Sequence, residues 1–243
     1  MIIKFLGTRG EIEAKTRRHR MHTATLFSYR GKKVMVDCGK NWLGRFQRYQ
    51  PDHIVLTHAH PDHAWGLKNG SPCPVWATQE TWDLIKRYPI EKKQKHLLLP
   101  RTPKKIGGIL FEPFPVLHSI LCPAVGYRIR AGKATLFYVP DVLWIPDMQE
   151  AFRGIQVYIG DGATIQRCLV RRNKKTKELF GHAMIRQQLT WCRKQHVPKM
   201  IITHCGSDIV KGQEKRAIAK IKALAKQRGV EVEIAYDGLE LKL

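Results

Sequence analysis

At 243 residues, 43% hydrophobic and 26% charged, the chain has the make-up of one globular domain with a full core. Its 43 Lys and Arg against 20 acidic residues give a formal net charge of +23, a field that attracts polyanions. No run approaches the length of a membrane span, no low-complexity tract or repeat is visible, and the first apolar stretch is too short for a secretory leader.

In chain order, residues 1–6, 23–29 and 33–36 are expected as strands, the third ending at Asp37 with Gly39 behind it. Residues 41–49 are predicted helical, because Trp42, Leu43, Phe46 and Tyr49 fall on one face. The apolar run Ile54-Val55-Leu56-Thr57 then enters His58-Ala59-His60-Pro61-Asp62-His63, with four potential metal ligands in six residues. A helix is expected over 78–88, and a strand-rich middle over 97–141 with hairpin turns at Gly107-Gly108 and Gly132-Lys133. Within that middle, apolar runs end at His118 and at Asp141. Residues 157–161 are a further strand leading into a loop. Gly181-His182 is expected to open a helix over 183–195, with Ile185, Leu189 and Cys192 inward. The strand 200–203 runs into His204, and one long helix is expected from there to about Arg228, ended by Gly229. Short strands at 230–234 and 239–243 close the pattern.

Five apolar strands thus end in His or Asp. A strand end holds the backbone still while the following loop turns several side chains to one point. Imidazole nitrogen and carboxylate oxygen together suit zinc or a similar first-row divalent ion. The 58–63 cluster can hold two ions only with ligands from elsewhere, and the later strand ends supply them.

This HxHxDH cluster, followed by His, Asp and His at later strand ends, resembles the metallo-β-lactamase-fold hydrolases over nearly the whole chain. The resemblance implies an α/β (α+β) fold, a four-layer αβ/βα sandwich of two mixed sheets with helices outside, as a single domain over 1–243. It also implies two divalent metal ions, zinc first and manganese or iron as alternatives. His58, His60 and His118 would hold one ion, Asp62, His63 and His204 the other, and Asp141 would bridge them. Asp37 would support the cluster by hydrogen bonding without binding metal.

Within that superfamily, Asp141 at the bridging position argues against a true β-lactamase. Gly181-His182 before a helix and the Thr203-His204 strand end is similar to the layout of ribonuclease Z and the cyclic-phosphate phosphodiesterases. His182 is therefore the candidate phosphate-orienting group or general acid, and Asp62 would both ligate and orient the nucleophile. The chain departs from ribonuclease Z between His118 and Asp141, where a short hairpin leaves no room for a tRNA-gripping arm. The expected activity is a compact phosphodiesterase or nuclease, in which a hydroxide shared by ions about 3.5–4 Å apart attacks phosphorus in line. Two alternatives stand beside it: an ester, thioester or lactone hydrolase, and a nucleic-acid-binding protein with structural metals.

The expected partner is nucleic acid or another phosphodiester, with no membrane and with a homodimer as one assembly. Lys211, Lys215, Lys222 and Lys226 read as a solvated helix stripe opposite Ile218, Ile221 and Leu224. Substrate contacts are expected instead from Arg17, Arg18 and Arg20, with His19 and His22 beside them, and from Arg171, Arg172, Lys174 and Lys175. His53, His96 and His196 read as surface or packing residues. The six cysteines show no disulfide spacing, which implies reduced thiols in a cytoplasmic protein. Cys38 and Cys205, beside site residues, read as packing groups.

Overall fold

The computed structural model describes residues 1–211 and 214–243. The first half of the chain supplies strands β1 (Ile2–Gly7), β2 (Ala24–Tyr29), β3 (Lys32–Val36), β4 (His53–Val55), β5 (Val75–Ala77) and β6 (Lys95–Leu97). The second supplies β7 (Lys104–Ile106), β8 (Ile109–Val116), β9 (Ala124–Ala131), β10 (Ala134–Tyr138), β11 (Val157–Asp161), β14 (Lys199–Thr203) and β15 (Glu231–Ile234). Strands β12 (Leu169–Arg172) and β13 (Leu179–His182) form a separate hairpin, and β16 (Glu240–Lys242) returns to the first sheet. The two large mixed sheets run in the orders 16-1-2-3-4-5-6 and 15-14-11-10-9-8-7.

Alternation along the strands builds three apolar layers from this arrangement. In β3, Val34 and Val36 enter the central core between the sheets, while Met35 faces the outer core on the first sheet. In β14, Ile201 points to the central core and Met200 and Ile202 to the outer core on the second sheet. Strands covered on both faces read as continuous apolar runs, which is why the sequence marks them so clearly. Among the described residues, six α-helices cover the outer faces: α1 (Pro61–Ala64), α2 (Gln79–Leu84), α3 (Met148–Phe152), α4 (Ile185–Lys194), α5 (Ser207–Val210) and α6 (Glu214–Lys226). Ala64 and Trp82 seal the first sheet, and Phe152, Leu189 and Ile221 seal the second. The result is the expected four-layer α/β sandwich.

Several elements differ from the sequence reading. The expected helix over 41–49 is two 3-10 turns, Lys40–Trp42 and Phe46–Tyr49. Gly44 between them has φ +68°, a left-handed step that breaks the helix; Trp42 and Phe46 are still buried, and Leu43 turns outward. The helix expected over 78–88 is confined to α2, capped by Thr78, whose side chain accepts from the Thr81 amide. The expected long helix after His204 appears as α5 and α6, and positions 212 and 213 between them lie outside the described residues. His182 does not open a helix: it is the last residue of β13, and α4 begins at Ile185.

Candidate metal centre

Strand direction gathers the site. β3 and β4 are parallel, as are β10, β11 and β14, and β8 runs the same way as β10 because both are antiparallel to β9. The C-terminal ends of these strands therefore deliver Asp37, the 58–63 cluster, His118, Asp141, Asp161 and His204 to one edge of the sandwich. The loop after β1 closes the same edge, where Gly10 lies so near His204 that a Cβ there would sit 2.8 Å from the imidazole.

Three groups of donors result. His58 Nε2 and His60 Nδ1 are 3.0 Å apart, and His118 Nε2 is 3.3 Å from the same His60 nitrogen. Asp62, His63, Asp141 and His204 form a second group, with His204 Nε2 2.9 Å from Asp62 Oδ2 and His63 Nε2 2.7 Å from Asp141 Oδ2. Asp141 Oδ2 faces the first group as well, at 3.5 Å from His58 Nε2 and 3.9 Å from His118 Nε2. A third group joins Asp141, Asp161, His182 and His204.

Hydrogen bonds behind the donors fix which ring nitrogen is free. Asp37 accepts from the Thr57 amide at 2.8 Å and from Thr57 Oγ1, and binds His63 Nδ1 at 2.8 Å. His63 Nδ1 therefore carries the proton and Nε2 faces the centre. His58 Nδ1 meets Thr57 Oγ1 at 3.0 Å, and His118 Nδ1 donates to the Gly181 carbonyl at 3.1 Å. Both leave Nε2 free, the arrangement typical of ligating histidines. Asp37 and His204 hold φ of +62° and +50°. Non-glycine residues in that region cost of order 1 kcal/mol each, a cost the neighbouring contacts offset.

The chemistry of this donor set fits a cation. Ligand atoms about 2.0–2.2 Å from one ion stand roughly 3.3 Å from each other in tetrahedral geometry, close to the 3.0 and 3.3 Å that separate His58 and His118 from His60. His63 Nε2, Asp141 Oδ1 and His204 Nδ1 are buried without a hydrogen-bond partner. The 2.7 Å approach of His63 Nε2 to Asp141 is thus not aligned as a hydrogen bond; the two atoms aim at a common point. Burial works against charge on His63 and His204, yet Asp62, Asp37 and Asp141 raise the first well above its ordinary value. Asp141, Asp161 and Asp62 push His204 up to about 10. Burial lowers His58, His60 and His118, the last to about 4, so their lone pairs are available. Asp62 and Asp141 resist burial because the imidazoles around them hold both carboxyls well below the usual range. These groups are able to hold metal ions.

The donors open onto a cavity of 380 Å³ whose walls include His60, Asp62, His118, Asp141, His182 and His204. His182 Nδ1 is 2.7 Å from Asp161 Oδ2 and 3.3 Å from Asp141 Oδ1, and Asp161 is fully buried. Asp161 was not singled out from the sequence, although it ends an apolar strand as the other site residues do. Arg167, at the start of the basic stretch 167–177 that the sequence offers as a phosphate grip, also lines the cavity. Gln188 holds this corner: it accepts from Tyr158 Oη and the Asp161 amide and donates to the Asp161 and Ala183 carbonyls, at 2.8–3.0 Å.

The two basic clusters separate. Arg171, Arg172, Lys174 and Lys175 are exposed on the β12–β13 hairpin, whose base pairs Leu169 with His182 at the cavity rim. The 17–20 loop does not reach the cavity. Asp237 pins it by accepting from the Arg20 and Met21 amides at 2.8 Å. Arg18 pairs with Glu214 at 2.7 Å and covers the Tyr236 ring, while Arg17 and Arg20 lie exposed on the outer surface. His19 and His22, expected near phosphate, are buried. His53 and His96 pack on Trp76, and His196 is exposed beyond α4.

Residues 32–205 match the beta-lactamase superfamily domain, and the chain belongs to that superfamily. A ribonuclease Z of Methanopyrus kandleri is 33% identical over 151 residues, 55% of this chain and 51% of that protein. The chain therefore spans about half the length of that curated relative. Among solved structures, the metallo-beta-lactamase fold protein YhfI from Bacillus subtilis superposes with a TM-score of 0.74 at 15% identity, covering 99% of this chain and 98% of that one. A diphosphatase of the PhnP family gives 0.70 at 21% identity, covering 99% and 96%. Both are likenesses of fold.

Proposed function

We propose that this superfamily member is a dinuclear metal-dependent phosphodiesterase or nuclease, with residues 1–243 acting as one domain. The observation that carries the reading is the Asp141 carboxylate standing between two ligand groups with His182 beside it in the cavity. In this reading His58, His60 and His118 hold one ion and Asp62, His63 and His204 the other. Asp141 belongs to both, and Asp37 orients His63. Zinc suits the nitrogen-rich first group best, with manganese or iron as alternatives. Bound there, two divalent ions supply an acidified water and neutralise charge on a phosphoryl group.

The chain's own residues do the rest. Asp62, at the cavity wall, would orient the attacking water while ligating. His182 is tethered through Nδ1 to Asp161, which leaves Nε2 to donate to the leaving oxygen. Burial opposes its charge, but Asp161 and Asp141 raise its pKa above the ordinary value, which favours the protonated imidazole. Arg167 on the same wall meets phosphate charge. One relative is named a ribonuclease Z and one fold neighbour a diphosphatase; phosphodiester cleavage is proposed here on nucleic acid or a small phosphodiester. Only the β9–β10 hairpin lies between His118 and Asp141, so a compact enzyme without a long substrate arm there is the form proposed. Six free thiols suit a reducing compartment such as the cytoplasm.

The test is metal-loaded protein assayed on bis-p-nitrophenyl phosphate, single-stranded RNA, single-stranded DNA, a thioester and a β-lactam, with metal content measured alongside. Phosphodiester cleavage with close to two ions per chain is expected, and Asp141→Ala should lower both. Two retained ions and full activity in that variant would remove the dinuclear assignment. Turnover of the thioester alone would move the protein to the ester hydrolases.

A further inference from the structure

Beside the metal cavity lies a second concavity of 590 Å³ that the proposed chemistry does not use. Trp144, Met184 and Trp191 give it apolar walls, and Arg186, Lys194 and Arg228 give it charge; none of its lining residues is acidic. Trp144 and Trp191 meet edge to face, with centroids 5.7 Å apart and planes at 82°. Trp191 is buried, whereas Trp144 leaves 43% of its surface exposed. A contiguous apolar surface, rather than a lone exposed residue, marks a ligand-binding groove, and Met184 and Trp191 continue the wall beside Trp144.

The groove is built from the same segments as the metal centre. Trp144 follows Asp141 by three residues, and its carbonyl accepts from the amide of Leu117, the residue before His118. Met184 follows His182 by two residues, and the Ala183 amide donates to Val142 at 2.7 Å. These bonds tie Trp144 to the His118 strand end and the start of α4 to the loop that carries Asp141. Arg228 is committed to Thr190 and Leu224. Arg186 and Lys194 are exposed and, among the described residues, pair with no carboxylate. They are placed to meet backbone phosphate.

We infer that this groove is a stacking site for an unpaired base of a single-stranded nucleic acid whose scissile phosphate lies in the metal cavity. The inference deepens the phosphodiesterase reading and rests on it. It commits to single strands, because a base must leave its own stack to lie on Trp144, and an indole face accepts any base. The acid-free lining and exposed cations favour this occupant over an apolar peptide, which would gain nothing from Arg186 and Lys194.

Fluorescence anisotropy tests it with metal-loaded protein and two nuclease-resistant phosphorothioate strands of about ten units, one of thymidine and one lacking bases. Wild-type protein should bind the thymidine strand more tightly. Trp144→Ala should weaken that binding about tenfold, near the low end for one base–aromatic stack, and weaken the base-free strand less than about twofold. Trp144→Phe should restore most of the loss. Trp144→Leu, which keeps apolar contact with Trp191, gives the same reading if the alanine variant does not fold. Unchanged thymidine binding, or equal weakening of both strands, overturns the inference. Bis-p-nitrophenyl phosphate separates it from its premise. A wild type that binds with base contrast but hydrolyses no phosphodiester removes the enzymatic reading alone. An active wild type whose base contrast survives Trp144→Ala removes the groove alone.

Discussion

His182 and Asp161 form one hydrogen-bonded unit, and their effects on rate should behave as one. His182→Ala should keep the metals and the fold while lowering phosphodiester cleavage by about 10²-fold or more, as expected for lost acid or electrostatic assistance. Asp161→Asn should cost less, and the double variant should be no slower than His182→Ala, because Asp161 then has nothing left to orient. Additive losses in that cycle would mean that Asp161 acts elsewhere, for instance through the Val142 amide it also accepts. The residues at this scale were unequally legible. Asp37, the 58–63 cluster, His118, Asp141 and His204 stand out because each ends an apolar run, and a run is a property of the sequence itself. Asp161 ends such a run too and went unassigned for want of a familiar motif. Applying the strand-end pattern without a motif would have found it. The direction of an arginine is not written in its neighbours: Arg18 and Arg172 sit in equally basic stretches, but only the second stands on an element at the cavity rim.

The β12–β13 hairpin was invisible as an element, since Leu169–Arg172 and Leu179–His182 are four residues each and neither has a buried face to set an alternation. Its strands are held by each other and by the Gly181 amide donating to His118 at 2.7 Å, so the metal loop positions the hairpin as much as the reverse. The break at Gly44 was missed for a related reason. Apolar spacing at 42, 43, 46 and 49 fits a helix, and only the glycine between them reports otherwise. The hairpin places four cations beyond the cavity mouth, where a long polyanion reaches them and a small ester does not. Neutralising Arg171, Arg172, Lys174 and Lys175 together should therefore raise KM for an oligonucleotide far more than for bis-p-nitrophenyl phosphate. The salt slope of oligonucleotide binding should shrink by roughly 0.7–0.9 per lost phosphate contact. Equal changes for both substrates would indicate a damaged site, and no change for either would leave the cluster as solvated surface.

The whole molecule joins two sheets at an edge crowded with buried carboxylates and imidazoles, and that edge links metal, pH and stability. In the metal-free chain, Asp62 and Asp141 have lowered pKa values against their ordinary 3.8. Their contribution to stability is therefore present above that value and is lost as pH falls. His204 is raised from 6.5 to about 10. Its contribution is complete below 6.5 and is lost as pH rises toward 10, when the buried carboxylates lose their protonated partner. Metal loading asks the opposite of His63 and His204, which must give up protons to ligate, so affinity rises with pH. The two trends diverge: the metal-free protein weakens toward alkaline pH while the loaded protein is held more tightly by its ions. Thermal melts with and without a chelator should then show a Tm gap that widens between about pH 5.5 and about pH 8.5. His204→Ala, which removes a proposed ligand together with its proton, should shrink the gap and leave only the His63 proton to widen it. A gap of constant size across this range would show that loading displaces no proton from His63 or His204. No gap at any pH would show that the edge folds without ions and that its carboxylates and imidazoles stabilise each other directly.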